Sequence, residues 1–573
     1  MLFTLLVIFL CTLPTQLFAA EKIWPLDLST RYLTSNFMEF REGRFHAGLD
    51  LKTDSQTGVP VIAVESGWIS RLKTTHNGYG KVLYLTTESG ETYVYAHLER
   101  IADRFQPAII SARSKANSYT VSLRFARDRF PVKAGDILAL SGQSGTNGPH
   151  LHFEVRNKSQ HPLNPQLQGF KLNDNIAPLI TSVTVIPTTA ESTINGKSWA
   201  RSISGNSLNG DLGDLYISGG VAFTAKIIEK SDIKAHLLEP YRIEMRLDGK
   251  IVYQAENREF SFDDMPYMKL EWLNQPGKRE RWLFKRSLNQ LGGREGSFWS
   301  ENIVPGEHQL ELVTTDATGN STAVNWTVYS GKSEVDETSK WQIDSVRVEL
   351  PQNLGQLSPF LTYNSKGQIA LAPQNMLVFP DSLSEKHTQG LTMVGNPLLL
   401  VSADPKELKP QLVSTSWDPA AGAAVYRLDK DKWSFVSEPN VSSSGTTFFA
   451  TKPGKYALFI DNSAPEIGTD SANIQVKPRM VSTINGITFP KWGEIIILMS
   501  DSESGIDMGS IEVKLDGSNL IVEPDMPRKR LLITIPDATA VGDHTLDVAV
   551  SDNSGNSTTK TWKIITNSLV EVD

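Results

Sequence analysis

Three short strings near the start of the chain carry residue types that together could do hydrolytic chemistry. Arg44-Phe45-His46-Ala47-Gly48-Leu49-Asp50 sets an imidazole and a carboxylate four positions apart. Tyr93-Val94-Tyr95-Ala96-His97-Leu98 offers a second imidazole, and Gly148-Pro149-His150-Leu151-His152-Phe153-Glu154-Val155 offers two more at alternate positions. Hydrolases that use zinc take three protein ligands from histidine and carboxylate and leave a fourth position for water. His46, Asp50 and one of the His150/His152 pair could supply that set, with the remaining histidines free for proton transfer and oxyanion stabilisation. An H-x-x-x-D spacing alone is common by chance, and an H-x-H pair alone fits a structural role as readily. Their joint occurrence in one domain-sized segment favours a metal site.

The elements that would hold these groups are strands. Leu151, Phe153 and Val155 alternate with His150, His152 and Glu154 after a Gly-rich turn, so both imidazoles project from one face while the apolar set anchors the other. The same alternation places Tyr93, Tyr95 and His97 together on one face, opposite Val94, Ala96 and Leu98.

The stretch from about residue 30 to 165 resembles the lysostaphin/LytM-type zinc metallopeptidases, which are cell-wall endopeptidases with an antiparallel β groove. The likeness rests on the three strings above. It also rests on Thr57-Gly58-Val59-Pro60-Val61-Ile62-Ala63-Val64-Glu65-Ser66-Gly67-Trp68, Gly78-Tyr79-Gly80-Lys81-Val82 and Gly142-Gln143-Ser144-Gly145. It implies that His46, Asp50 and His152 bind one Zn2+, and that His97 and His150 flank the attacking water as catalytic residues. It implies peptidoglycan peptides as substrate. One departure is the long stretch from Glu99 to Pro131, expected to form a helical or looped excursion and an extra strand around Tyr119–Phe125. Its basic residues Arg113, Lys115, Arg124, Arg127 and Arg129, with Lys133 just beyond, could meet an acidic wall polymer. The alternative function is a non-catalytic envelope scaffold or peptidoglycan-binding regulator.

The rest of the chain is all-β in texture: short alternating runs divided by Gly, Asn, Asp, Ser and Pro. Tyr241–Leu247 turned by Asp248-Gly249, and Ile511–Leu515 turned by Asp516-Gly517, are hairpin signals. The string Gly306–Thr322 repeats at Gly542–Thr558, and the same offset carries Trp326 onto Trp562. Asp174-Asn175-Ile176-Ala177-Pro178 recurs as Asp461-Asn462-Ser463-Ala464-Pro465. The expected organisation is a signal peptide over 1–20, a metallopeptidase domain over 21–172, and Ig-like β-sandwiches over 173–335, 336–461 and 462–573. His308 and His544 occupy equivalent repeat positions and read as structural. The Asp316 and Asp552 turns could bind calcium, but with few carboxylates nearby in sequence they read as plain Asx-turns.

Composition sets the outer limits. The 573 residues include 10 His and one Cys, with a net charge of −8. A single Cys excludes an internal disulfide framework and any multi-Cys zinc site, and the acidic balance gives no electrostatic case for nucleic acid. Leu2–Leu13 is an apolar run too short to span a bilayer and reads as a secretory signal core that contains Cys11. The mature chain is expected in the periplasm, soluble and cysteine-free.

Overall fold

The computed structural model describes residues 22–566, apart from 332–360 and a number of shorter internal stretches. The expected signal segment, with Cys11, and the boundary expected at 335/336 lie outside the described residues.

Among the described residues, alternation written in the sequence becomes sheet in every part. In the first part, a broad sheet runs in the spatial order Leu33–Ser35, Leu49–Lys52, His150–Arg156, Thr92–Ala96, Lys81–Thr87, Gly67–Thr74 and Val121–Arg124. A second sheet joins Pro60–Ile62, Ile137–Ser141 and Leu98–Ile101. One apolar core unites both, including Leu49, Leu51, Leu85, Tyr93, Tyr95, Leu138, Leu151, Phe153 and Val155. Burying each such side chain contributes roughly 1.5–3 kcal/mol. A one-residue slip of His150–Arg156 would exchange its three core residues for two imidazoles and a carboxylate, so the pattern fixes the register. The stretch after Glu99 forms the helix Gln106–Ala116 and the strand Val121–Arg124, which pairs with Gly67–Thr74. Ala116 is followed by Asn117 in the left-handed conformation (φ 45°), which ends the helix.

Three pairs of sheets follow. Leu179–Ser330 folds as a five-stranded and a seven-stranded sheet closing on Ile180, Phe223, Met245, Leu312 and Trp326. Met376–Asp461 forms a five-stranded and a three-stranded sheet, and Glu466–Thr566 a four-stranded and a five-stranded one around Ile497, Leu531, Leu546 and Trp562. Asp248-Gly249 and Asp516-Gly517 both turn at positive φ, as two-residue hairpins of right-handed strands require. His308 is held by Asp248 Oδ2 at 2.7 Å and the Val304 carbonyl at 2.7 Å, and His544 by Asp516 Oδ2 at 2.6 Å and the Ala540 carbonyl at 2.9 Å. Both histidines are therefore structural. Among the described residues, no helix is long and apolar enough to cross a membrane.

The first of these sheet pairs grips the part that precedes it. The Asn36 side chain donates to the Glu239 carbonyl at 2.7 Å and accepts from the Glu239 N–H at 2.9 Å. Phe260 packs against Phe37 and Phe45, with ring centroids 5.5 and 5.6 Å apart.

Candidate metal centre

Neighbouring strands bring the first and third strings together. His152 pairs directly with Asp50 across the sheet, and His150 with Lys52. His46 lies in the turn between Arg44–Phe45 and Leu49–Lys52. The turn fits only because position 48 is glycine: a Cβ there would lie 2.1 Å from the Phe153 carbonyl oxygen. His46 Nε2 lies 2.9 Å from Asp50 Oδ1, His152 Nδ1 lies 2.8 Å from that same oxygen, and the two ring nitrogens face each other at 2.9 Å. All three residues are buried.

The outer atoms of the three residues decide what the inner ones are. His46 Nδ1 lies 2.7 Å from the Asn36 carbonyl, which can only accept, so that nitrogen carries the hydrogen and Nε2 a lone pair. His152 Nε2 lies 2.8 Å from Glu154 Oε1, so it donates there and leaves its lone pair on Nδ1. Arg41 Nη2 takes Asp50 Oδ2 at 2.5 Å and leaves Oδ1 inward. Three electron pairs thus converge on one buried point, an arrangement that calls for a cation. Two imidazole nitrogens and a carboxylate oxygen, each oriented by an outer partner, make a group that could hold a metal ion.

Electrostatics give the same picture. Burial pushes His46 down to about 4, against the pull of Asp50. For Asp50, burial opposes ionisation, but its close contacts with His46 and His152 outweigh it and hold the carboxyl well below its usual range. Burial also disfavours charge on His152, yet its bonds to Asp50 and Glu154 lift it to about 9. Without a metal, a proton on His152 therefore fills the cation's role. Glu154 is held at about 2, because Arg156 and His152 overcome the cost of burial.

His97 arrives by a route that alternation does not predict. The strand carrying Tyr93 and Tyr95 ends at Ala96, and His97 takes a left-handed backbone (φ 60°). Tyr93 and Tyr95 point into the core, and His97 does not follow them. This corrects the expected aromatic row: His97 instead packs beside His150, with ring centroids 4.7 Å apart. Positive φ at a non-glycine residue costs of order 1–3 kcal/mol and is often found at functional sites. The His97 Nδ1 hydrogen goes to the Ser144 carbonyl at 2.9 Å and that of His150 to the Gly148 carbonyl at 3.0 Å. Both carbonyls belong to the Gly-rich turn. His150 Nε2 lies 3.6 Å from Asp50 Oδ1. Burial, joined for His97 by His150 and His152, lowers both pKa values, so both rings are neutral near pH 7 and keep a lone pair on Nε2.

All five residues singled out in the sequence therefore share one site. Arg41, Asn36, Tyr79 and Glu154 join it without having been singled out. Glu154 had a readable signal, since it continues the alternation of His150 and His152 on the same face. Arg41 and Asn36 had none: their partners Asp50 and His46 lie nine and ten residues on, beyond any strand or helix period, and are brought to them by the path of the loop. The basic residues of the stretch after Glu99 are partly engaged elsewhere: Arg113 lies 4.0 Å from the centre of the Tyr119 ring, and Arg127 pairs with Glu88.

No family model matches the chain, and no curated protein matches it. Solved peptidases are similar to about a quarter of the chain. A variant of the catalytic domain of the prophage-encoded M23 protein EnpA from Enterococcus faecalis is 24% identical over 26% of this chain and 95% of its own, with a TM-score of 0.18. A zinc-containing peptidase from Vibrio cholerae is 26% identical over 26% of this chain and 39% of its own, with a TM-score of 0.19. This chain thus spans well under half the length of the Vibrio protein.

Proposed function

We propose that the chain is an exported zinc endopeptidase that hydrolyses peptide cross-links or stems of peptidoglycan in the periplasm. The observation that carries this reading is the convergence of three buried lone pairs beside two further neutral imidazoles. The N-terminal apolar run supports export, and the family likeness of the motifs supports a wall substrate.

His46, Asp50 and His152 would hold the zinc, which when bound supplies Lewis acidity for water and for a peptide carbonyl. Glu154 and Asn36 orient the two imidazoles, and Arg41 turns one Asp50 oxygen inward. Neither His97 nor His150 can donate from Nε2 at the outset, because each ring's hydrogen is committed to a carbonyl of the Gly-rich turn. One of them accepts a proton from the attacking water and only then becomes a donor, able to pass that proton to the leaving amine. Replacing His152 or Asp50 by Ala should abolish both zinc content and the release of muropeptides from purified sacculi, read by mass spectrometry. Undiminished release by either folded variant would refute the site. A native protein that binds sacculi but holds no zinc and releases nothing would point to a scaffold instead.

A further inference from the structure

Outside the zinc site, the described residues hold two clusters of three carboxylates each, Asp174/Glu229/Asp316 and Asp461/Asp501/Asp552, with one oxygen from each residue within 4.8 Å of the others. Asp316 and Asp552 do form the expected Asx-turns, their Oδ1 atoms accepting the N–H groups of Thr318 and Asn320 and of Ser554 and Asn556, but the third dimension adds two acids to each that sequence proximity does not show. The clusters are built alike in separate sheet pairs. Asp174 and Asp461 come from the two Asp-Asn-x-Ala-Pro strings. Glu229 and Asp501 directly follow the strands Val221–Ile228 and Glu494–Ser500. Asp316 and Asp552 open the turn between the last two strands of each repeat. Asn320 and Asn556 repeat as well, each bridging its turn aspartate to the backbone carbonyl of Asp174 or Asp461 at 3.0 Å.

Hydrogen bonds satisfy only part of this acidity. Glu229 is 2% exposed; its Oε1 accepts the Lys230 N–H at 2.7 Å, but its Oε2 is buried with no hydrogen-bond partner. It lines a small cavity shared with Asp174 and Asp316. In the second cluster Asp501 Oδ2 is likewise buried and unpartnered. An orphaned carboxylate oxygen in a buried site is costly, as at Glu229; Asp501 repeats the missing partner at the same place, on a side chain that is only partly buried. Burial, with Asp316 and Asp174 alongside, pushes Glu229 up to about 9, and burial with Asp461 and Asp552 raises Asp501. In each cluster, the acids crowd one another with no ion-pairing cation in contact with Glu229 or Asp501 among the described residues.

We propose that Asp174/Glu229/Asp316 and Asp461/Asp501/Asp552 are two calcium sites, one at the entrance to the first sheet pair and one at the entrance to the last. Calcium takes six to eight oxygen ligands at flexible geometry, and the all-oxygen, nitrogen-free donor set separates these sites from the zinc site. Magnesium, which demands a near-octahedral shell and sheds water reluctantly, fits less well. The zinc reading is not needed for this one.

The test is equilibrium dialysis of the full chain against calcium, with zinc present throughout. Two calcium ions per chain are expected, with dissociation constants of roughly 0.1–1 mM, a rise in thermal midpoint on saturation, and no displacement by equal magnesium. Glu229→Gln and Asp552→Asn should each lower the stoichiometry from two to one, and together to zero. His152→Ala should leave it at two, which separates these sites from the zinc site. No saturable binding by the native chain at 10-fold above that range would overturn the proposal. So would a stoichiometry of two in the folded double variant. If one variant fails to fold, the native stoichiometry and the other variant still decide, because the clusters lie in different sheet pairs.

Discussion

Glu154 touches no substrate in the proposed reaction, and replacing it by Gln tests whether the outer partners set the metal site. Its carboxylate is fully buried, accepts His152 Nε2–H at 2.8 Å and Arg156 Nε at 2.6 Å, and also takes the Tyr79 hydroxyl. Gln keeps the volume and an acceptor oxygen but removes the charge. A hydrogen bond to a charged group contributes roughly 1.5–3 kcal/mol and a neutral one roughly 0.5–1.5. The His152 bond should therefore weaken by about 1–1.5 kcal/mol, or about 5- to 12-fold in zinc affinity at 1.4 kcal/mol per tenfold. That sits at the lower edge of the 10- to 100-fold range seen for such outer partners. A second effect has another origin. Arg156 is left buried beside a neutral amide, and breaking a buried ion pair costs about 3–5 kcal/mol of stability. Chelator competition on protein shown folded by circular dichroism reads the first effect, and thermal unfolding reads the second. Adding Arg156→Gln should recover part of the stability and none of the zinc affinity. Zinc binding within twofold of native in folded Glu154→Gln would refute the reasoning, as would a double variant that regains both.

Three further outcomes are expected. His97→Ala and His150→Ala should keep full zinc content while losing about 10²- to 10⁴-fold in turnover; loss of zinc instead would move either residue into the ligand set. Because His152 binds a proton up to about pH 9 in the metal-free site and must release it to bind metal, zinc affinity should climb up to tenfold per pH unit from about 5 to 9 and then level off. Calorimetry in buffers of different ionisation enthalpy should find about one proton released per zinc at pH 7, and none released would contradict that assignment. Gly48→Ala, whose Cβ would meet the Phe153 carbonyl, should cost about 1–3 kcal/mol and lower zinc content by parting His46 from Asp50, as unfolding and metal analysis would show.

Much of the first part was readable because strands encode their faces at period two. Period-two alternation alone puts Leu151, Phe153 and Val155 toward the core, and hence His150, His152 and Glu154 on the opposite face. The Asp-Gly hairpins are as legible, since few residues other than Asp, Asn and Gly tolerate positive φ there, and the kinship of the sheet pairs is exposed through Gly306–Thr322 and Gly542–Thr558. Three things came from the folded chain and not from any motif. The fold ended the Thr92–Ala96 strand one residue before His97 and turned that ring out of the tyrosine row toward His150. It set Arg41 on Asp50, and clamped Asn36, whose carbonyl orients His46, to Glu239 about 200 residues away. It also gathered Asp174, Glu229 and Asp316 from a linker, a strand end and a turn. Local pattern fixes which face a side chain takes because the pleat is local. Which distant group meets it depends on strand order and on one residue's departure from the pleat, and neither is written within the window of any motif.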